Sequence, residues 1–126
     1  MSKEIIYSET APEPIGPYSQ ATKIGNMLFV SGQIAIDRPS GAMVTGSIPE
    51  ETHQVMKNLG SILSAAGMDF SHVVKSSIFL TDMGNFPIVN EAYGSYFKNN
   101  PPARETVEVS GLPKNVNVEI SCIAVK

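Results

Sequence analysis

The sequence predicts an α+β fold of two layers, a mixed sheet covered on one face by two helices. Two stretches with period-two alternation of apolar residues are each followed by a stretch of helical period, giving two strand–helix–strand units. Hairpin signals lie at both ends of that pattern. Two strands are apolar on both faces, although two helices can cover only one.

The elements follow in order. Residues 4–7 read as a short opening strand, and the loop at 10–17 is punctuated by Pro12, Pro14, Gly16 and Pro17. Strands at 21–24 and 27–31 flank Gly25-Asn26, a two-residue turn. After a loop containing Pro39, Ser40 and Gly41, a helix begins near Ser47, with Pro49, Glu50 and Glu51 in its first turn. Its apolar stripe is Val55, Leu59, Ile62, Leu63 and Ala66, and Gly67 stops it. Residues 73–80 form a β-branched strand. A second helix is predicted over 86–97, with Phe86, Val89, Tyr93 and Tyr96/Phe97 on one face, ended by Asn99-Asn100-Pro101-Pro102.

The last two strands are predicted to form an antiparallel hairpin. Arg104, Thr106 and Glu108 alternate with Val107 and Val109, and Asn115, Asn117 and Glu119 alternate with Val116, Val118 and Ile120. With residues 110–113 as the loop, Val107 opposes Val116, Thr106 opposes Asn117 and Arg104 opposes Glu119. The plain reading is a cross-strand ion pair worth roughly 0.2–1 kcal/mol. The sharper one is a small anion site, where a planar guanidinium grips a substrate carboxylate and the neighbouring carboxylate handles a proton or a water. A carboxylate beside an arginine is expected to stay ionised. Pairing alone leaves both readings open.

Composition narrows the class. A chain of 126 residues is expected to make one domain, spanning 1–126. Its net charge of −3 and lack of any Lys/Arg run argue against a nucleic-acid partner. Neither a signal-like apolar segment nor a long apolar span is found, so no membrane association is expected. The single Cys122 has no internal disulfide partner, which fits a reducing compartment and a cytoplasmic location. Residues 27–30 and the last strand are apolar on both faces, and a second copy of the chain is the expected cover.

Other candidates have ordinary explanations. His53 and His72 lack metal-ligand spacing with Cys122, which sits on an apolar strand face and reads as core. Asp37, Asp69 and Asp82 suit turn chemistry, and Ser31 has no triad partner.

Along nearly its whole length the chain resembles the RidA/YjgF family of reactive-imine deaminases. The matching stretches are Ile15-Gly-Pro-Tyr-Ser-Gln20, Ser31-Gly-Gln-Ile34, Val73-Val-Lys75 with Phe79-Leu80, Val89-Asn-Glu-Ala-Tyr93, Pro102-Ala-Arg104 with Val107-Glu-Val109, and Leu112-Pro-Lys114 with Val118-Glu-Ile120. The resemblance implies a chorismate-mutase-like fold, a ferredoxin-like variant, assembled as a homotrimer with a small-molecule site in each cleft between subunits. It places the carboxylate-binding arginine at Arg104, the water-positioning carboxylate at Glu119 and the cleft-lining tyrosine at Tyr18. Gly32 matches the point of close backbone approach, next to Ser31, and Thr106 supplies a backbone N–H. Asn90 and Phe86 border the cleft. Ala35, Glu105 and Thr106 depart from common family residues, and strand parity points Glu105 away from Arg104.

The implied activity is hydrolysis of short 2-imino acids, reached from enamines such as 2-aminoacrylate or 2-aminocrotonate, to 2-oxo acids and ammonia. No metal or organic cofactor is implied. Two other readings have family precedent: an endoribonuclease or translation inhibitor, and a non-catalytic 2-oxo-acid binder or holdase.

Overall fold

The computed structural model describes residues 2–126. Six strands, β1 (Glu4–Ile6), β2 (Ala21–Ile24), β3 (Met27–Gln33), β4 (Val73–Leu80), β5 (Ala103–Glu108) and β6 (Val118–Val125), form one mixed sheet in the order β1-β2-β3-β6-β4-β5. Two helices, α1 (Ile48–Ala65) and α2 (Phe86–Gly94), cover one face. This is the two-layer α+β arrangement expected. Among the described residues no helix is long and apolar enough to cross a membrane.

Local chemistry sets the first helix. The Ser47 side chain accepts from the Glu50 N–H, satisfying one free donor of the first turn. At the other end Gly67 adopts φ +72°, with Gly67 N–H on Ser64 O and Met68 N–H on Leu63 O, a Schellman closure. Val55, Leu59, Ile62 and Leu63 of α1 are buried against Leu28, Ile78, Ile120 and Ala124 of the sheet. Met27, Phe29 and Val107, on the other face, remain exposed.

Two expectations fail. The second helix stops at Gly94 rather than residue 97. From there the chain tightens, with Ser95, Tyr96 and Phe97 donating to carbonyls three residues back instead of four. Tyr96 and Phe97 still pack against Phe70 and Tyr93, so the aromatic surface expected of the helix is kept by a tighter turn.

The C-terminal hairpin does not form. β5 pairs in parallel with β4, placing Arg104 beside Ser76, and β6 lies between β3 and β4, antiparallel to both. Residues 113–115 make a turn in which Lys114 and Asn115 are left-handed, at φ 55° and 56°, and β6 begins only at Val118. Competition for the sheet centre explains the exchange. The last strand carries Val118, Ile120, Cys122 and Ala124 on one face and Ile123 and Val125 on the other, so it gains most from neighbours on both sides. The charged β5 takes the edge.

Candidate functional site

Strand pairing decides where the two candidate side chains point. Arg104 is level with Ser76, which is buried under the helices, so its side chain lies on the helical face. Glu119 is level with Phe79, which alternates with the buried Ile78 and Leu80, so it lies on the uncovered face. They are separated by β4 and occupy opposite sides of the sheet. The expected side-by-side pair is absent.

Each sits in a built environment. Arg104 is held by one stripe of α2, at residues 86, 90 and 93, the i, i+4, i+7 spacing of a helix face. Its Nη1 donates to Asn90 Oδ1 at 2.8 Å, and its guanidinium carbon lies 5.5 Å from the Phe86 ring centre and 5.2 Å from that of Tyr93. The resemblance places Phe86 and Asn90 here; Tyr93, on the same helix face, joins them against the guanidinium. The Tyr93 hydroxyl is buried and makes no hydrogen bond of good geometry; desolvation raises its pKa, opposed by the nearby Ser76 hydroxyl and the Arg104 charge. Thr106, two residues along the same face, has a buried Oγ1 that is also unpartnered. Val109 N–H bonds to Leu80 O, so strand alternation turns the Thr106 N–H away from β4, toward the free edge.

Glu119 belongs to a second cluster. A cleft of about 460 Å³ is lined by Ile15, Tyr18, Ser31, Gly32, Ile34, Pro113 and Glu119. The register of β3 against β6 shifts between Val30 and Gln33, and this bulge sets Gly32 beneath the Glu119 side chain. Ser31 Oγ donates to Ser19 O at 2.6 Å, tying the bulge to the loop that carries Tyr18. The Tyr18 hydroxyl accepts from the Ile15 N–H at 3.2 Å. Glu119 forms no ion pair or hydrogen bond among the described residues, and burial raises its pKa. That reverses the expectation that a neighbouring arginine would hold it ionised: the guanidinium is on the far side of the sheet.

The structure therefore brings the expected residues together in two groups, Arg104, Thr106, Asn90 and Phe86 in one, and Tyr18, Ser31, Gly32 and Glu119 in the other. Glu105 points away from Arg104 as parity required, pairing with Lys75 at 2.9 Å and with the Ser77 hydroxyl. The Ser77 hydroxyl and then Lys75 lower its pKa. Cys122 is buried core, its thiol pushed up to about 12 by desolvation. His53 bonds Tyr96 and His72 bonds the Asp69 backbone; among the described residues no cluster of three His, Cys, Asp or Glu forms a metal site.

Comparison with known proteins places these groups in context. The family described as Endoribonuclease L-PSP matches residues 8–126. A RutC family protein of Pyrococcus horikoshii is 52% identical, with 98% of each chain aligned. The 2-iminobutanoate/2-iminopropanoate deaminase of Mus musculus is 46% identical over 98% of this chain and 92% of its own. Among solved structures, Escherichia coli TdcF with bound serine superposes with a TM-score of 0.94 at 35% identity, covering 98% of each chain.

Proposed function

The chain belongs to the RidA/YjgF family, and on that premise we propose that it hydrolyses short 2-imino acids to 2-oxo acids and ammonia. The observation that carries this reading is Glu119. It is a half-buried carboxylate with no cationic partner among the described residues and a raised proton affinity, facing a cleft of small-molecule size. Such a group suits proton transfer near neutral pH better than an ion-paired one.

The chemistry requires little else. The substrate carboxylate takes the bidentate grip of Arg104, assisted by the free Thr106 N–H. Glu119 accepts a proton from water as its oxygen attacks the imine carbon. It delivers that proton to the imine nitrogen to give the carbinolamine, then takes the carbinolamine hydroxyl proton and passes it to the amino nitrogen, so that C=O forms as the C–N bond breaks and ammonia leaves. Tyr18 and Ile15 shield the cleft from bulk solvent. The serine bound by TdcF shows that a protein of this fold accepts a small molecule with an α-carboxylate. The endoribonuclease reading fits less well, since the net charge is −3 and the sequence carries no Lys/Arg run.

Arg104 and Glu119 lie on opposite faces of one sheet, so both act on one substrate only when two copies of the chain contribute. We place the reaction in clefts between subunits of a homotrimer, whose assembly also covers the apolar open face.

Semicarbazide trapping tests the activity: a dehydratase generates the imine, and this protein should shorten its lifetime catalytically. An unchanged lifetime overturns the reading. Mixing R104A and E119Q chains tests the shared cleft, because random reassembly restores intact sites in about a quarter of clefts. No recovery of activity in mixed oligomers overturns the shared cleft.

A further inference from the structure

Glu51 is the only charged residue among the described residues that is fully buried, at 0% exposure. A carboxylate in the first turn of α1 gains from the helix dipole, but a solvated position there would gain as much without desolvation. Its contacts explain its place. Oε2 accepts from the backbone N–H of Asn117 at 2.7 Å and of Val118 at 3.0 Å, and Oε1 accepts from Asn117 Nδ2 at 2.8 Å.

Those two N–H groups stand where the sheet is incomplete. Pairing of β3 with β6 ends at Gln33 and Ile120. On the other side, the Asn117 carbonyl accepts from Thr81 N–H at 3.2 Å. A carbonyl and the next N–H along a strand point to opposite sides, so Val118 N–H faces the gap beyond the end of β3. A buried N–H needs an acceptor, and the Glu51 carboxylate supplies it. The next residue is Glu119.

We propose that Glu51 is a positioning residue: its carboxylate stands in for the missing strand at the head of β6 and fixes where Glu119 enters the cleft above Gly32. The proposal rests on the reading of Glu119 as the proton-handling group. From Ile120 onward β6 is paired on both sides, so loss of Glu51 frays residues 117–119 and leaves the rest of the sheet intact.

Three variants separate anchorage from general stability. E51M keeps length and removes both acceptors. E51D keeps the charge but withdraws it by one methylene. E51Q keeps an acceptor for both N–H groups, and Asn117 can turn its amide to meet the new donor. Expected for E51M are faster hydrogen exchange at the Asn117 and Val118 amides, a displaced Glu119 carboxyl resonance in ¹³C NMR and a kcat lower by about 10²-fold, the scale of a small misplacement of a catalytic group. Binding of 2-oxobutanoate should be retained. E51D should show the same changes in weaker form, and serves if E51M does not fold. E51Q should resemble the wild type in every readout. Unchanged exchange and an unchanged Glu119 resonance in E51M or E51D overturn the proposal, as does an E51Q variant impaired as severely as E51M. The exchange and NMR measurements need no turnover, so a wild-type protein without imine hydrolysis would refute the reading of Glu119 while they still decide the anchor.

Discussion

A Cβ built on Gly32 would lie 2.8 Å from the Glu119 carboxyl carbon and 3.0 Å from its Cγ, and closer still to Oε2. Residue 32 lacks a side chain because residue 119 occupies that space. The backbone there is not left-handed, so alanine meets a steric objection and no conformational one.

G32A should therefore fold, with a stability change within the roughly 1–3 kcal/mol of ordinary overpacking. The Glu119 side chain must swing away, and imine hydrolysis should fall by about 10²–10⁴-fold, the usual worth of acid–base assistance. Thermal melts and semicarbazide trapping on one preparation check both. Near-normal turnover would mean that the contact does not hold a working carboxylate.

E119Q separates chemistry from binding. The amide keeps its shape and can hold a water but cannot take up a proton. Turnover of 2-iminopropanoate should drop by about 10²–10⁴-fold, while calorimetry with 2-oxobutanoate should show affinity largely retained through Arg104. Parallel loss of both would reduce Glu119 to an orienting group.

The same variant has a pH signature. Burial raises the folded-state pKa of Glu119 above its unfolded value, so the folded protein binds more protons at intermediate pH. Stability from this group is highest below the unfolded value, near pH 4, and falls as pH climbs through the folded value. Glutamine does not titrate. The melting temperature of E119Q should thus gain on that of the wild type as pH rises from the ordinary carboxylate range through the raised folded value. A gap that is constant with pH would contradict the burial argument.

R104K should fold normally and lose most activity. Lysine keeps the charge but loses the planar fork and its stacking on Phe86 and Tyr93. Circular dichroism and the trapping assay suffice. Full activity in R104K would return Arg104 to a surface role.

Tyr93 should divide by function. Y93F removes a buried hydroxyl that makes no hydrogen bond of good geometry and keeps the ring, so stability should hold or rise. Y93L removes the ring face from the guanidinium, and 2-oxobutanoate affinity should weaken by about 0.5–2 kcal/mol. Equal binding in the two variants would show that the ring does not support Arg104.

The extent to which this was legible in the sequence depended on whether a feature was local. The Ser47 cap, the Gly67 stop and the ranges of β2 and β4 follow from nearby residues, and they stand where periodicity put them. Alternation also gave the right parity within β5, with Glu105 opposite to Arg104. It could not name the partner strand. A charged strand and an apolar strand joined by a turn look like a hairpin until β3 and β4 compete for the apolar one. Alternation marks Arg104 and Glu119 as candidates, and the resemblance adds Tyr18, Gly32, Thr106 and Asn90, whereas Tyr93 and Glu51 are hidden by patterns that also suit a core aromatic and a solvated first turn.

The position of β6 has a consequence for how the molecule comes into being. The strand made last is the one that joins the two halves of the sheet: without it β3 and β4 share no neighbour. During synthesis the β2–β3 ribbon and the β4–α2–β5 unit can each form early, yet neither has its full partner until residues 118–125 leave the ribosome. The pairings of β6 with β3 and β4, those with β3 spanning the greatest sequence separation in the sheet, are then completed in one late step, which favours slow closure and leaves apolar strand edges exposed meanwhile. Glu119 arrives with that closing strand, so the cleft is assembled only when the fold itself is complete.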